Sequence, residues 1–209
     1  KAGFSIMTLA NYTSASGVTI GHGLGKAPSM YIHKSRASSG NWHIYHKSLG
    51  ATKAMFFTNA AAATAIGYWA NTEPTADVLS LGNTFAGTFN GVVYAWAEIE
   101  GYSKFGTYEG NQNADGPFIY TGFRPKMVFV KNADTGSTEW SINDTARNTF
   151  NPTEKQLNWD NSNAELTGKD IDFLSNGFKI RKYTGGMNDS GTHIYGAWGD
   201  VPFKYNNTF

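Results

Sequence analysis

Gly101-Tyr-Ser-Lys-Phe-Gly-Thr-Tyr-Glu-Gly110 repeats, midway along the chain, what is already written at its N-terminus. Gly3-Phe4-Ser5 returns as Gly101-Tyr102-Ser103. Thr8, Gly17, Ile20 and Gly23 return as Thr107, Gly116, Ile119 and Gly122, each 99 positions later. Pro28, Met30, Ile32 and Lys34 match Pro125, Met127, Phe129 and Lys131, now 97 apart. Trp42 matches Trp140, and Tyr94-Ala-Trp-Ala-Glu98 resembles Tyr195-Gly-Ala-Trp-Gly-Asp200. Matches in one order along the whole length mark two tandem copies of a single unit, residues 1–100 and 101–209.

Within each copy the apolar period is two, the period of strands. Phe4 to Thr8, Val18 to Ile20, Ser29 to Lys34, Trp42 to His46, Asp77 to Leu81 and Val92 to Glu98 read as strands of the first copy. The last has little polar relief on either face, so it is expected to be central. Asn90-Gly91 is a strong turn signal. Ala54 to Phe57 reads as strand or loop, and Ala60 to Ala65 has the propensity of a short helix. In the second copy Lys126 to Lys131, Thr138 to Ile142 and His193 to Trp198 read as strands. Asp170 to Leu174, the turn Asn176-Gly177 and Phe178 to Lys182 read as a hairpin, and Phe203-Lys-Tyr205 as a closing edge strand. Turn signals recur at the spacing of sandwiches and barrels, and no βαβ alternation appears. The expected fold is all-β: two pseudo-symmetric tandem β-sandwich-like units. The join offers Ile99, Tyr102 and Phe105 for burial and no linker composition, so the units are expected to pack on each other.

Composition narrows the function classes. Charged residues make up only 16% of the 209, while aromatics reach 15% and glycines number 24. That is the texture of an extracellular or virion β-protein rather than a helical cytosolic enzyme, and too aromatic for a disordered chain. The net charge of +1 gives no field for nucleic acid, and basic residues form no stripe. Without cysteine there is no disulfide, thiolate metal site or thiol catalysis, and a microbial or viral source is favoured. No apolar run approaches a membrane span, so no membrane insertion is expected. A chain starting at Lys1 is expected to be one piece of a longer polypeptide.

Candidate chemistry is sparse. His43 and His46 form an H-x-x-H, but three positions apart on a strand they face opposite sides, so no metal site is expected. Asp170 and Asp172 share a strand face and are the only candidates for a glycosidase pair or a Ca²⁺ site. Cross-strand ion pairs with Lys179 and Arg181 explain them better. No G-x-S-x-G elbow and no phosphate-binding loop occurs. No cofactor is expected, and the chain does not read as an enzyme. Trp42 with Trp140, and Trp96 with Trp198, recur at repeat positions and are expected in the core. Trp69, with Tyr68 beside it, and Trp159 sit near turns in the divergent middles and are expected to be more exposed. An exposed indole or phenol among Asn, Asp and Ser can stack on a sugar ring, so Trp69, Tyr68 and Trp159 are the candidate glycan-binding residues; packing is the alternative.

Asn41-Trp-His-Ile-Tyr-His-Lys-Ser-Leu-Gly-Ala-Thr-Lys53, Gly101-Tyr-Ser-Lys-Phe-Gly106, Asp115-Gly-Pro-Phe-Ile-Tyr-Thr-Gly-Phe-Arg-Pro125, Asp170-Ile-Asp-Phe-Leu-Ser-Asn-Gly-Phe178 and Pro202-Phe-Lys-Tyr205 resemble a domain of unknown function found in tail-fibre-like structural proteins of tailed bacteriophages, of marine phage and cyanophage type. The resemblance spans Phe4 to Tyr205 and is weakest from Thr58 to Ala70. It implies a virion structural protein on a tail appendage or capsid surface, with other virion proteins as partners and commonly a homo-oligomer, trimers being usual in fibres. The expected function is a tail-fibre or receptor-binding module contacting host-surface polysaccharide. The alternative is a non-adhesive virion component, such as a capsid decoration protein or fibre segment. A glycan-degrading tailspike ranks last.

Overall fold

The computed structural model describes residues 3–13, 17–64, 67–84, 88–182 and 186–200, and among them all regular secondary structure is β. The chain divides into two compact units. The first comprises Gly3–Phe57 and Ala62–Glu98; the second runs from Ile99 onward and includes Thr58–Ala61.

The first unit holds β1 (Phe4–Thr13), β2 (Val18–Gly21), β3 (Met30–Ser35), β4 (Trp42–His46), β5 (Lys53–Phe56), β6 (Ala63–Thr64), β7 (Val78–Leu81) and β8 (Thr88–Trp96). Its larger sheet has the order β1-β8-β3-β4-β5-β6, and β2 pairs with β7 separately. Alternation explains how the two sheets make one core. Tyr31 lies opposite Tyr45 on one side and Ala95 on the other, so all three point to one face. Leu79 and Leu81 of β7 close over that face, flanked by Val18 and Ile20 of β2. The rings of Tyr31 and Tyr45 stack at 4.5 Å, a geometry worth about 1 kcal/mol beyond area burial.

The second unit holds β9 (Ser103–Gly110), β10 (Phe118–Tyr120), β11 (Pro125–Asn132), β12 (Ser141–Asp144), β13 (Leu157–Asn158), β14 (Ile171–Leu174), β15 (Gly177–Ile180) and β16 (Gly191–Gly199). One sheet has the order β13-β12-β11-β16-β9, and the other β10-β15-β14. Val128, Val130, Tyr195 and Ala197 of the first pack against Ile171, Phe173, Phe178 and Ile180 of the second. In each unit the last strand of the larger sheet runs between the first and the third, so β8 and β16 are central.

Several expectations change. Asn90-Gly91 is no turn: it lies inside β8, with Gly91 paired to Leu9 and Ser35 on the flanking strands. Two neighbouring strands bind this backbone, which outweighs its local turn preference. The alanine run forms no helix among the described residues; Ala63–Thr64 is a short strand pairing with Lys53 and Ala54. Sheet hydrogen bonds at the edge override alanine's helix propensity, which is a weak determinant against tertiary context. The second-copy hairpin turns at Ser175-Asn176, since Gly177 already pairs with Leu174. Trp42 is 38% exposed, whereas Trp140 is fully buried. Trp42 stands opposite Lys34, whose ammonium lies 5.9 Å from its ring centroid, and not in the core cluster. The expected edge strand at Phe203 to Tyr205 lies outside the described residues.

Candidate functional site

The polar segment after β13 is held by β12 through its backbone. Ser141 and Ile142 pair with Asn158 and Leu157, and the ladder is continued by the Trp159 N–H, which donates to the Trp140 carbonyl at 3.0 Å. The Trp140 N–H donates in turn to Oδ1 of Asp160 at 3.1 Å. Glu139-Trp140 and Trp159-Asp160 are thereby clipped side by side. Trp140 turns inward against Phe129, with centroids 5.6 Å apart. Trp159 lies tilted on the same Phe129 ring at 5.1 Å, yet keeps 37% of its surface in solvent.

Three polar residues adjoin the two tryptophans along the chain: Glu139, Asp160 and Asn161. Asn161 Nδ2 donates to Glu139 Oε2 at 3.0 Å, while Asn161 Oδ1 accepts the Asn163 N–H at 3.0 Å and fixes the turn. The neighbouring Asp160 carboxyl, with burial behind it, raises the Glu139 pKa above the usual carboxylate value, because a proton is lost reluctantly where a second negative charge would face the first. Lys131 is fully buried and donates from Nζ to the Asn132 carbonyl at 3.1 Å and to Thr138 Oγ1 at 2.7 Å. Burial pushes its pKa down to about 8, while the charges of Asp160 and Glu139 oppose the fall. The site thus presents carboxyl and amide groups at its surface, with its compensating ammonium inside. The nearby-in-sequence cations Arg147 and Lys155 are engaged by Asp144 and Glu165.

Trp69 does not have the exposure expected of it. It is fully buried, edge-on to Tyr31 at 4.9 Å and Tyr45 at 6.2 Å, and its Nε1 donates to the Lys53 carbonyl at 2.9 Å. The turn that carries it is strapped down where the Gly82 N–H donates to the Tyr68 carbonyl at 2.8 Å. A ring enclosed by protein on all sides has no face to offer a sugar. Tyr68 is half-buried at the margin of the same core, 4.7 Å from His43 and 5.9 Å from Phe56. Of the three candidates, Trp159 alone presents an indole to solvent.

The remaining candidates separate. His46 is buried opposite Met30, and His43 lies opposite His33 on the other face. Burial lowers the His33 pKa to about 3 and that of His43 to about 4. Asp172 faces Lys179 across the hairpin and is ion-paired with Arg181 at 3.4 Å; Lys179 reaches Asp115 at 2.7 Å. Asp170 precedes β14, with its carbonyl accepting the Arg181 N–H. Sequence reasoning missed Glu139 and Lys131. The usable signal was Glu beside one tryptophan and Asp beside another, but nothing local says the two pairs adjoin.

Residues 1–202 match the model of a family described as a domain of unknown function, DUF7483. The chain belongs to that family. No curated protein and no solved structure matches it. The description assigns the family no activity, so the chemistry of the Trp159 clip carries the functional argument. Among the described residues no helix is long and apolar enough to cross a membrane.

Proposed function

We propose that the chain is a structural module of a phage virion, of the tail-fibre or receptor-binding kind, and that its Trp159 face contacts host-surface glycan. The resemblance of its motifs to tail-fibre-like proteins supports the virion part. The observation that carries the adhesive part is the solvent-facing indole of Trp159, set in a polar segment with Asp160, Asn161 and Asn163. A planar apolar face stacks on the C–H face of a pyranose, and fixed carboxyl and amide groups accept and donate to its hydroxyls. On this reading the module binds without catalysis. Other virion proteins and further copies of the chain, as a trimer or other homo-oligomer, are its expected partners.

The test is binding of the labelled chain to immobilised bacterial surface polysaccharides and to whole cells. Saturable binding that Trp159→Ala abolishes supports the reading. A correctly folded chain that binds no cell and no polysaccharide sinks it.

A second reading, a non-adhesive virion component such as a capsid decoration protein or fibre segment, draws on the burial of Trp69 and Trp140, which makes those two indoles packing residues. A virion map at side-chain resolution separates the two. Trp159 facing outward on a tail appendage favours adhesion; Trp159 covered by a neighbouring subunit favours the structural role.

A further inference from the structure

We infer that the second unit carries a further stacking face, Phe118 and Tyr120 of β10, for the uncharged sugars of a glycan. The inference takes its ligand class from the glycan-binding reading above, while its location is independent of Trp159. Within β10, Ile119 belongs to the core, so Phe118 and Tyr120 point away from it, and they stay 46% and 65% exposed. Trp159 packs on Phe129, which alternates along β11 with the core residues Val128 and Val130. The two faces therefore lie on opposite sides of the unit's sandwich.

The duplication supplies an internal control. Ile20 of β2 and Ile119 of β10 are matched residues, paired with Leu79 of β7 and Phe178 of β15, and each packs in its own core. Beside Ile20 stand Thr19 and Gly21, both exposed. The same strand thus forms with no aromatic at either position, so folding does not account for Phe118 and Tyr120. Both rings also lie close to glycines. A Cβ on Gly177 would come within 2.9 Å of Phe118 Cε2, and one on Gly122 within 3.6 Å of Tyr120 Oη.

Size and charge select the occupant. At their exposures the two rings present on the order of 200 Å². A stable protein partner covers about 800 Å² on each side, whereas one or two sugar rings match the smaller area. β10 ends its sheet but is three residues long, too short to recruit a strand from a second copy. Lys179 lies opposite Phe118 and is ion-paired with Asp115; Asp172 lies opposite Lys179 and is ion-paired with Arg181. The row is neutral by pairs. It fits an uncharged ligand whose C–H faces stack on the rings and whose hydroxyls meet the flanking donors and acceptors.

The experiment measures binding of the chain to an array of uncharged bacterial polysaccharides. Phe118→Thr combined with Tyr120→Gly puts the first copy's residues at these positions. Phe118→Leu combined with Tyr120→Leu keeps apolar bulk but removes the flat rings. Each double variant is expected to bind at least tenfold more weakly than the unmodified chain. Binding that both double variants leave unchanged, while Trp159→Ala removes it, overturns this inference and leaves the Trp159 reading standing. Binding kept by the leucine variant overturns stacking at β10. Binding lost in both double variants but kept in Trp159→Ala supports this inference and overturns the Trp159 reading. Self-association that the double variants abolish, with no polymer bound, overturns it in favour of a contact between copies. Binding to no polymer overturns both readings. Near-ultraviolet circular dichroism of each variant establishes that a lost signal is not lost folding.

Discussion

The backbone N–H of Trp159 donates to the carbonyl of Trp140 at 3.0 Å, and at that bond the two indoles part: Trp140 is 0% exposed and Trp159 is 37% exposed. One aromatic finishes a core and the other is offered to solvent, on strands joined by a single ladder step. Trp140→Ala is therefore expected to cost about 3–5 kcal/mol, the range for truncating a fully buried large aromatic. Trp159→Ala loses a half-exposed ring packed on Phe129 and is expected to cost about 1–2 kcal/mol while removing glycan binding. Urea unfolding of both variants, read beside polysaccharide binding, checks the division. Equal destabilisation by the two would show that Trp159 is a packing residue.

Trp69 carries a polar duty as well as an apolar one. Trp69→Phe keeps most of the ring area against Tyr31 and Tyr45 but removes the donor to the Lys53 carbonyl. An expected loss of about 2–3 kcal/mol combines the orphaned carbonyl and the smaller ring. The urea midpoint measures it, and a change under about 0.5 kcal/mol would mean that the bond contributes nothing.

The buried pair His33 and His43 sets an acid limit on stability. Burial holds their folded pKa values near 3 and 4, below the ordinary value of 6.5. Above pH 6.5 both states are neutral at these rings, and the full contribution is present. As pH falls below that value the unfolded chain takes up protons that the folded chain refuses. Stability drops progressively until the folded values are reached, by on the order of a few kcal/mol. Thermal unfolding from pH 7 to pH 4 is expected to show Tm falling, and falling less steeply in His33→Phe. Parallel slopes in the two proteins would remove these histidines from the account.

Gly82 is expected to tolerate no side chain. A Cβ there would lie 1.5 Å from the Gly67 carbonyl oxygen and 2.8 Å from the Ala70 nitrogen, both backbone atoms of the turn that delivers Trp69. Gly82→Ala must push that turn off the sheet, at about 3 kcal/mol or more. Gly40→Ala, whose Cβ would meet nothing closer than Ser38 Oγ at 3.7 Å, is the control expected to unfold like the parent. Soluble, equally stable Gly82→Ala protein would show that the turn moves freely.

Strand positions were legible because alternation is local. Trp42 to His46 is β4 residue for residue, Ser29 to Lys34 starts one residue before β3, and His193 to Trp198 lies within β16. The central place of β8 and β16 followed from their lack of polar relief. Matching one copy to the other was less dependable near the start. Trp96 pairs with Met30 and Phe4, while Trp198 pairs with Met127 and Ser103. Phe4 thus stands where Ser103 stands, one residue away from the match that Gly3-Phe4-Ser5 suggests. On a strand a slip of one residue exchanges the faces, so letter identity there was a poor guide to burial.

By itself the sequence determined that the chain is all-β, where most strands run, and that it lacks thiol chemistry. These depend on composition and on a two-residue period. Tertiary structure alone decided which tryptophans meet solvent. Trp69 and Trp159 both lie near turns among polar residues; one turn folds back over a sheet and the other stays at a sheet edge. It also decided the site. Glu139 and Asp160 are 21 residues apart, and only the β12–β13 ladder brings both charges to bear on the buried Lys131.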